Sequence, residues 1–222
     1  MELKNKFSHY VLLANLFDYP QSNYKELVIQ VQNYLEQGFP ELAIKLAPFT
    51  HFVTEESLHQ MEELFTRSFE VQAVTTLDLG YLLFGDDYKR AELLVNLNRE
   101  HNAVGNDCGN ELADHLPNLL RLLPKLQDEV LLKELINHVV APGLLKIIDD
   151  FRPERLQEKN KVYKKHHKTL IEQSPHYGLI YSVPVQVVMD FVSADFQIKL
   201  AKETEKESGF LGSLDQEMEL EN

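Results

Sequence analysis

Residues 125 to 150 read KLQDEVLLKELINHVVAPGLLKIIDD. Leucine, isoleucine and valine recur here every three or four positions with charged residues between them, the signature of a helix that buries one stripe. Ala141, Pro142 and Gly143 interrupt the run. Proline lacks a backbone donor and its ring crowds the preceding turn, so two stacked helices are expected rather than one.

The same period extends outward through most of the chain. Phe7, Tyr10, Val11, Ala14 and Phe17 share a face behind a capping residue at Asn5, and Tyr19-Pro20 supplies a stop. Tyr24, Leu27, Val28, Val31 and Leu35 follow a cap at Ser22 or Asn23, and Gly38 is expected to end that helix through its access to positive φ. A short segment from Glu41 to Leu46 comes next, then a helix begun by Thr54 with Leu58, Met61, Leu64 and Phe65 inward. Residues 71 to 85 read as a loop leading into a short helix. Asp86 and Asp87 place negative charge at the positive end of the next helix dipole, and that helix is expected to turn Tyr88, Ala91, Leu94 and Val95 inward. A break rich in Gly and Asn at residues 105 to 110 precedes Glu111 to Leu123, where Pro117 either sits in a first turn or bends the helix. Another helix is expected from Glu154 to about Leu170. Tyr177 to Phe196 is apolar but contains Gly178 and Pro184, which leaves its form open.

Composition points the same way. The 222 residues are 44% hydrophobic with nine glycines, and the closely spaced Gly/Asn turns that close hairpins are missing, which argues against a sandwich or barrel. The expected fold is all-α, a single compact multi-helix domain over residues 1 to 202. Residues 203 to 222 carry seven acids against Lys206 alone and are expected to form a disordered acidic tail. A net charge of -13 argues against a nucleic-acid partner, whose phosphates are bound largely by Lys and Arg, and suits a basic client. Cys108 is the only cysteine, so no internal disulfide forms, as fits a reducing compartment. Val11 to Phe17 is a poor signal core, because Asn15 interrupts it, Asp18 follows and no small-residue cleavage site appears. No run approaches the roughly 20 apolar residues of a membrane span. A soluble, cytoplasmic protein without membrane insertion is expected.

Phosphate loops, dinucleotide fingerprints, nucleophile elbows and zinc-protease pairs are all missing, so the chain is not expected to be an enzyme. Cys108 lies between His101 and His115, but without a family signature it reads as an inert thiol. Glu56-x-x-His59 has the spacing of half a di-metal carboxylate site, and an exposed helix start explains it better. The basic run Lys159 to Lys168 has Tyr163 as its one interleaved aromatic and reads as a solvated face. In Glu111-Leu-Ala-Asp114-His115-Leu-Pro117, a helix would bring two carboxylates and an imidazole to one face at i, i+3 and i+4. Such a patch fits a basic peptide; an exposed acidic first turn is the favoured reading on spacing alone.

Four stretches, in order, resemble the molybdoenzyme-specific assembly chaperones, above all the respiratory nitrate reductase chaperone family (NarJ), with TorD and DmsD chaperones as relatives. They are Leu16 to Pro20 (LFDYP), Leu64 to Glu70 (LFTRSFE), Leu79 to Arg90 (LGYLLFGDDYKR) and, most characteristic, Glu111 to Leu120 (ELADHLPNLL). The resemblance covers roughly residues 8 to 150. The chain departs from the family pattern at Ala113, where proline is usual, at Glu70, where aspartate is usual, and at Asp87 and Tyr88.

The resemblance implies a TorD/NarJ-like chaperone fold. It also implies a protein that binds the N-terminal leader of the catalytic subunit of a molybdopterin oxidoreductase and holds it until a molybdenum bis-pterin guanine dinucleotide is inserted. The chaperone would keep no cofactor itself and act as monomer or dimer. On the motif positions, Phe69, Tyr81, Leu83 and Phe84 are assigned to a groove for an amphipathic leader helix. Glu70, Asp86, Glu111 and Asp114 are assigned to its cations, with His115 and Pro117 completing the site. The competing expectations are a helical di-metal enzyme built around Glu56-x-x-His59, and an adaptor that uses the same groove for an unrelated partner.

Overall fold

A computed structural model of the chain describes residues 7–155 and 179–198. These residues form ten α-helices and no strand. The helices are α1 (His9–Ala14), α2 (Tyr24–Gly38), α3 (Pro40–Glu55), α4 (Leu58–Phe69), α5 (Leu79–Phe84), α6 (Tyr88–Ala103), α7 (Leu116–Leu122), α8 (Glu129–Leu135), α9 (Ala141–Asp150) and α10 (Ser182–Phe196). The helix expected after Glu154 lies, past Arg155, outside the described residues, as do the Asn5 cap, the basic run and the acidic tail. No helix of the described residues is long and apolar enough to cross a membrane.

Residues 125 to 150 do not break where proline and glycine predict. A five-residue π segment, Ile136–Val140, joins α8 to α9, and the amide of Ala141 donates to the carbonyl of Ile136. The wide turn shifts the ladder ahead of Pro142, so the ring meets no regular α-turn and the helix continues through it. Gly143 then serves packing. A Cβ there would lie 3.0 Å from the Leu79 side chain, so its absence lets α5 lie directly on α9.

Other boundaries also differ from the sequence pattern. Pro40–Glu55 is one helix with Pro48 inside it, and the next starts at Leu58, not Thr54. Ser57 caps it in a reciprocal pair, its Oγ accepting from the Gln60 amide while the Gln60 side chain accepts from the Ser57 amide. Gly38 stays helical; the stop falls at Phe39, just before Pro40. Val11 is 42% exposed because Leu13 and Leu16 take the inward face of α1 and the 3-10 turn Asn15–Phe17 after it. In α6 the inward line is Leu93, Leu97 and His101 with Leu94 beside it, and Tyr88 and Val95 point outward. Pro117 sits in the first turn of α7, so Glu111 to His115 form a turn instead of a helical face.

α2 and α3 pack antiparallel, tied by Lys25 to the Thr54 carbonyl and by Thr50 to Gln32. α10 lies on α3 and α9 and buries Val185, Val187, Val188, Met189, Phe191 and Val192. A helix buried on several sides shows no clean amphipathic period, which is why the sequence left this segment open. Pro184 lies in its first turn, where a missing amide costs no ladder bond. The end of α10 returns to α1: His9 Nε2 and Tyr10 Oη meet Asp195 Oδ2 at 2.8 and 2.9 Å, and Phe7 stacks on Phe196.

Tyr181, fully buried just ahead of α10, is the centre of an aromatic cluster. Its ring centroid lies 4.9 Å from Phe69, 5.3 Å from Phe49 and 5.9 Å from Phe65. Its hydroxyl is 3.3 Å from that of Tyr24, which donates to the Leu16 carbonyl at 2.8 Å. Burial and the paired hydroxyls push the Tyr24 phenol well above its ordinary pKa, so it stays neutral. Truncating the central ring opens a cavity lined from α2, α3 and α4. Tyr181→Ala is expected to lower unfolding free energy by about 3–5 kcal/mol, measured by urea denaturation.

Candidate functional site

Two of the motif stretches meet through their backbones. The Leu79 amide donates to the Asp114 carbonyl at 3.0 Å and the Leu116 amide to the Leu77 carbonyl at 2.9 Å, an isolated antiparallel bridge between Asp78 and His115. Side chains repeat the tie. Asp114 is fully buried, and its Oδ2 accepts from Arg90 Nε at 3.0 Å. Arg90 Nη2 reaches Asp78 Oδ2 at 3.1 Å, and Asp78 Oδ1 accepts from His115 Nδ1 at 2.9 Å. Glu111 stands 3.9 Å from the same imidazole nitrogen. Gly80 makes room for the carboxylate, since a Cβ there would fall 2.5 Å from Asp114 Oδ2. Arg90 also lies over the Tyr81 ring, 5.2 Å from its centroid.

The electrostatics follow from this sharing. Burial would raise the Asp78 carboxyl, but hydrogen bonds and charge from His115 and Arg90 outweigh it and hold it below its ordinary value of 3.8. Burial likewise would lower the Arg90 guanidinium, and the two carboxylates, Asp114 foremost, raise it instead. One guanidinium thus serves two acids. Asp114 Oδ1 is left buried with no hydrogen-bond partner.

A polar core holds the turn that follows α6. His101 Nε2 donates to the Ala113 carbonyl at 3.0 Å, so Nδ1 is the acceptor for the Asn106 amide at 2.9 Å. Burial lowers the His101 pKa and keeps this tautomer neutral. Asn118 Nδ2 donates to the carbonyls of Leu112 and Cys108, and Lys125 to Asn106 Oδ1. No sequence signal marks these roles, because a buried Asn or His in a turn has the same letter as an exposed one.

Beside this scaffold lies a groove of about 820 Å³ between the segment from Phe17 to the start of α2, the end of α4 and the stretch from Asp107 to Asn118. Its floor is Phe17, Tyr24, Phe65, Phe69, Leu77 and Pro117. Carboxylates of Asp18, Glu70, Asp78, Asp107 and Glu111 line it, and the one Lys or Arg lining it among the described residues, Arg121, is held by Asp18 at 2.5 Å. Tyr19 stands over Phe65 edge-on. A smaller hollow of about 360 Å³ among Phe7, Leu132, Ile136 and Phe196 holds none of the motif residues.

Of the residues assigned from the sequence, Phe69, Glu70, Glu111, His115 and Pro117 line the groove together. Tyr81, Leu83, Phe84 and Asp86 do not, since α5 turns towards α6 and α9. Asp114 is enclosed behind the wall as the partner of Arg90. Asp18, Phe65, Asp78 and Asp107 join the site unannounced, although Asp18 and Phe65 fall within the LFDYP and LFTRSFE stretches. Cys108 also lines the groove; burial, then the Asp107 charge, pushes its thiol up, which leaves it protonated and a poor nucleophile. Among the described residues no group of three or more His, Cys, Asp or Glu is placed to hold a metal ion. His59 is 88% exposed, 3.8 Å from Glu62.

Removing the shared cation strands a buried carboxylate. Arg90→Ala is expected to cost about 3–5 kcal/mol in chemical denaturation, and adding Asp114→Asn should recover part of the loss. Asp78 supplies a pH test. Its pKa in the folded protein lies below that of the unfolded chain, so its stabilising contribution is present above about pH 4 and is lost as acid titrates it. Asp78→Asn should therefore flatten the acid limb of stability against pH, read as melting temperature between about pH 5 and about pH 2. No protein-family model matches this sequence, and no curated protein matches it at a significant level.

Proposed function

We propose that this chain is an assembly chaperone for the catalytic subunit of a molybdenum-containing oxidoreductase, with nitrate reductase as the first candidate. It binds that subunit's N-terminal leader in the groove. It holds the client for insertion of the molybdenum bis-pterin guanine dinucleotide, before membrane attachment or export, and catalyses no reaction itself. The observation that carries this reading is the groove's composition: an aromatic floor beneath a rim that, among the described residues, has five carboxylates and one occupied guanidinium, built at three of the four stretches that resemble the NarJ-type chaperones.

An amphipathic leader helix fits such a recess. Its apolar side chains would lie against Phe65, Phe69 and Pro117, while Lys or Arg on its flank would meet Glu70, Asp107 and Glu111. Rim charges act chiefly on association rate and salt dependence; the floor supplies the burial. Asp114 has a different part, since it is spent on Arg90 and fixes the wall. A metalloenzyme reading finds no comparable support, because Glu56 stands at the end of α3 and His59 faces solvent.

Calorimetric titration with a basic amphipathic leader peptide tests the proposal. Glu70→Lys/Glu111→Lys should weaken binding at least about tenfold and reduce its salt dependence, with the thermal melt unchanged. Binding that ignores both substitutions would reject the groove as the client site.

A further inference from the structure

The outward face of α6 carries two large apolar side chains, Tyr88 and Val95, among charged residues. Along its outermost line run Tyr88, Glu92, Val95, Arg99 and Asn102, spaced alternately four and three residues apart. Tyr88 is 72% exposed and Val95 70%. This is the face that hydrophobic spacing assigns to the interior. The fold instead buries the opposite line through Leu97 and His101, leaving an apolar pair on the outside with no element of the described chain against it. None of these five residues lines the groove.

The charges on this face match those of a second copy turned end for end. Glu92 and Arg99 lie at nearly equal distances on either side of Val95. In an antiparallel pair about a two-fold axis beside Val95, Glu92 of each copy therefore faces Arg99 of the other, twice over. Val95 packs on its own image at the axis, and Tyr88 lies over the small Ala103 of the opposing helix. Arg99 now reaches sideways to Glu100 at 3.2 Å while 72% exposed, so turning to a new partner disrupts nothing buried. Antiparallel helices also oppose their dipoles.

We propose that the outward face of α6 is a self-association surface on which a second copy of this chain docks antiparallel. At 16 residues α6 is about 24 Å long, and one such face buries less than the roughly 800 Å² per partner of a standard interface. The dimer is thus weak and concentration-dependent, and it leaves the groove of each copy open.

Sedimentation velocity of the full chain over a wide concentration range tests this. Wild type is expected to pass reversibly from monomer to dimer. Val95→Glu should leave only monomer. Glu92→Arg or Arg99→Glu alone should raise the dimer dissociation constant about tenfold or more by setting like charges face to face, and the double variant should return it to near the wild-type value. All three positions are exposed, so unchanged thermal melts would separate loss of association from loss of fold. A wild type that stays monomeric throughout, or a dimer indifferent to both single reversals, would overturn the proposal.

Discussion

One guanidinium shared between two carboxylates organises the wall of the groove. Arg90 enters from the first turn of α6, takes the fully buried Asp114 with one arm and Asp78 with the other, and so clamps α5, α6 and the turn before α7 to one point. Burying a carboxylate without a cation is costly enough that this arrangement tolerates few alternatives. The two backbone bonds of the Asp78–His115 bridge set the same register independently. Side chain and main chain therefore agree on where the turn sits. That agreement gives the groove a fixed wall.

The opposite side of the groove is fixed by packing. Phe65 and Phe69 come from the end of α4, Tyr24 from the start of α2, and all three close around Tyr181. The recess thus combines a hydrophobic floor, whose geometry is set by ring contacts, with a wall set by charge. Salt should act on the rim and hardly at all on the floor, because screening reaches exposed charges and not the buried clamp.

Much of this was legible in the sequence, for identifiable reasons. The helical class and most helices followed from period and caps, and the short helix after residues 71 to 78 lies where expected. Of the residues assigned from the motif stretches, Phe69 and Glu70 from one and Glu111, His115 and Pro117 from another line the same groove, while Tyr81, Leu83, Phe84, Asp86 and Asp114 do not. Failures came where a residue type has two uses. Pro142 reads as a breaker, yet a π turn absorbs it; Val95 reads as core, yet α6 rolls so that His101 can bind the Ala113 carbonyl. Asp114 reads as a surface acid because most aspartates are, and nothing local announces that Arg90, 24 positions away, will bury it. α10 was unreadable because burial on several sides erases the alternation that periodicity detects.

Tyr181 carries a last consequence, for the order in which the molecule comes into being. Its ring completes the floor under the groove, yet it lies far along the chain from Tyr24 and Phe49, which it touches. A nascent chain on the ribosome can assemble the α2–α3 hairpin early, but the aromatic cluster stays unfilled until residue 181 and α10 have emerged. The recess therefore matures only after residue 181 has emerged, and a chain cut short before it would lack the ring that backs Phe65 and Phe69.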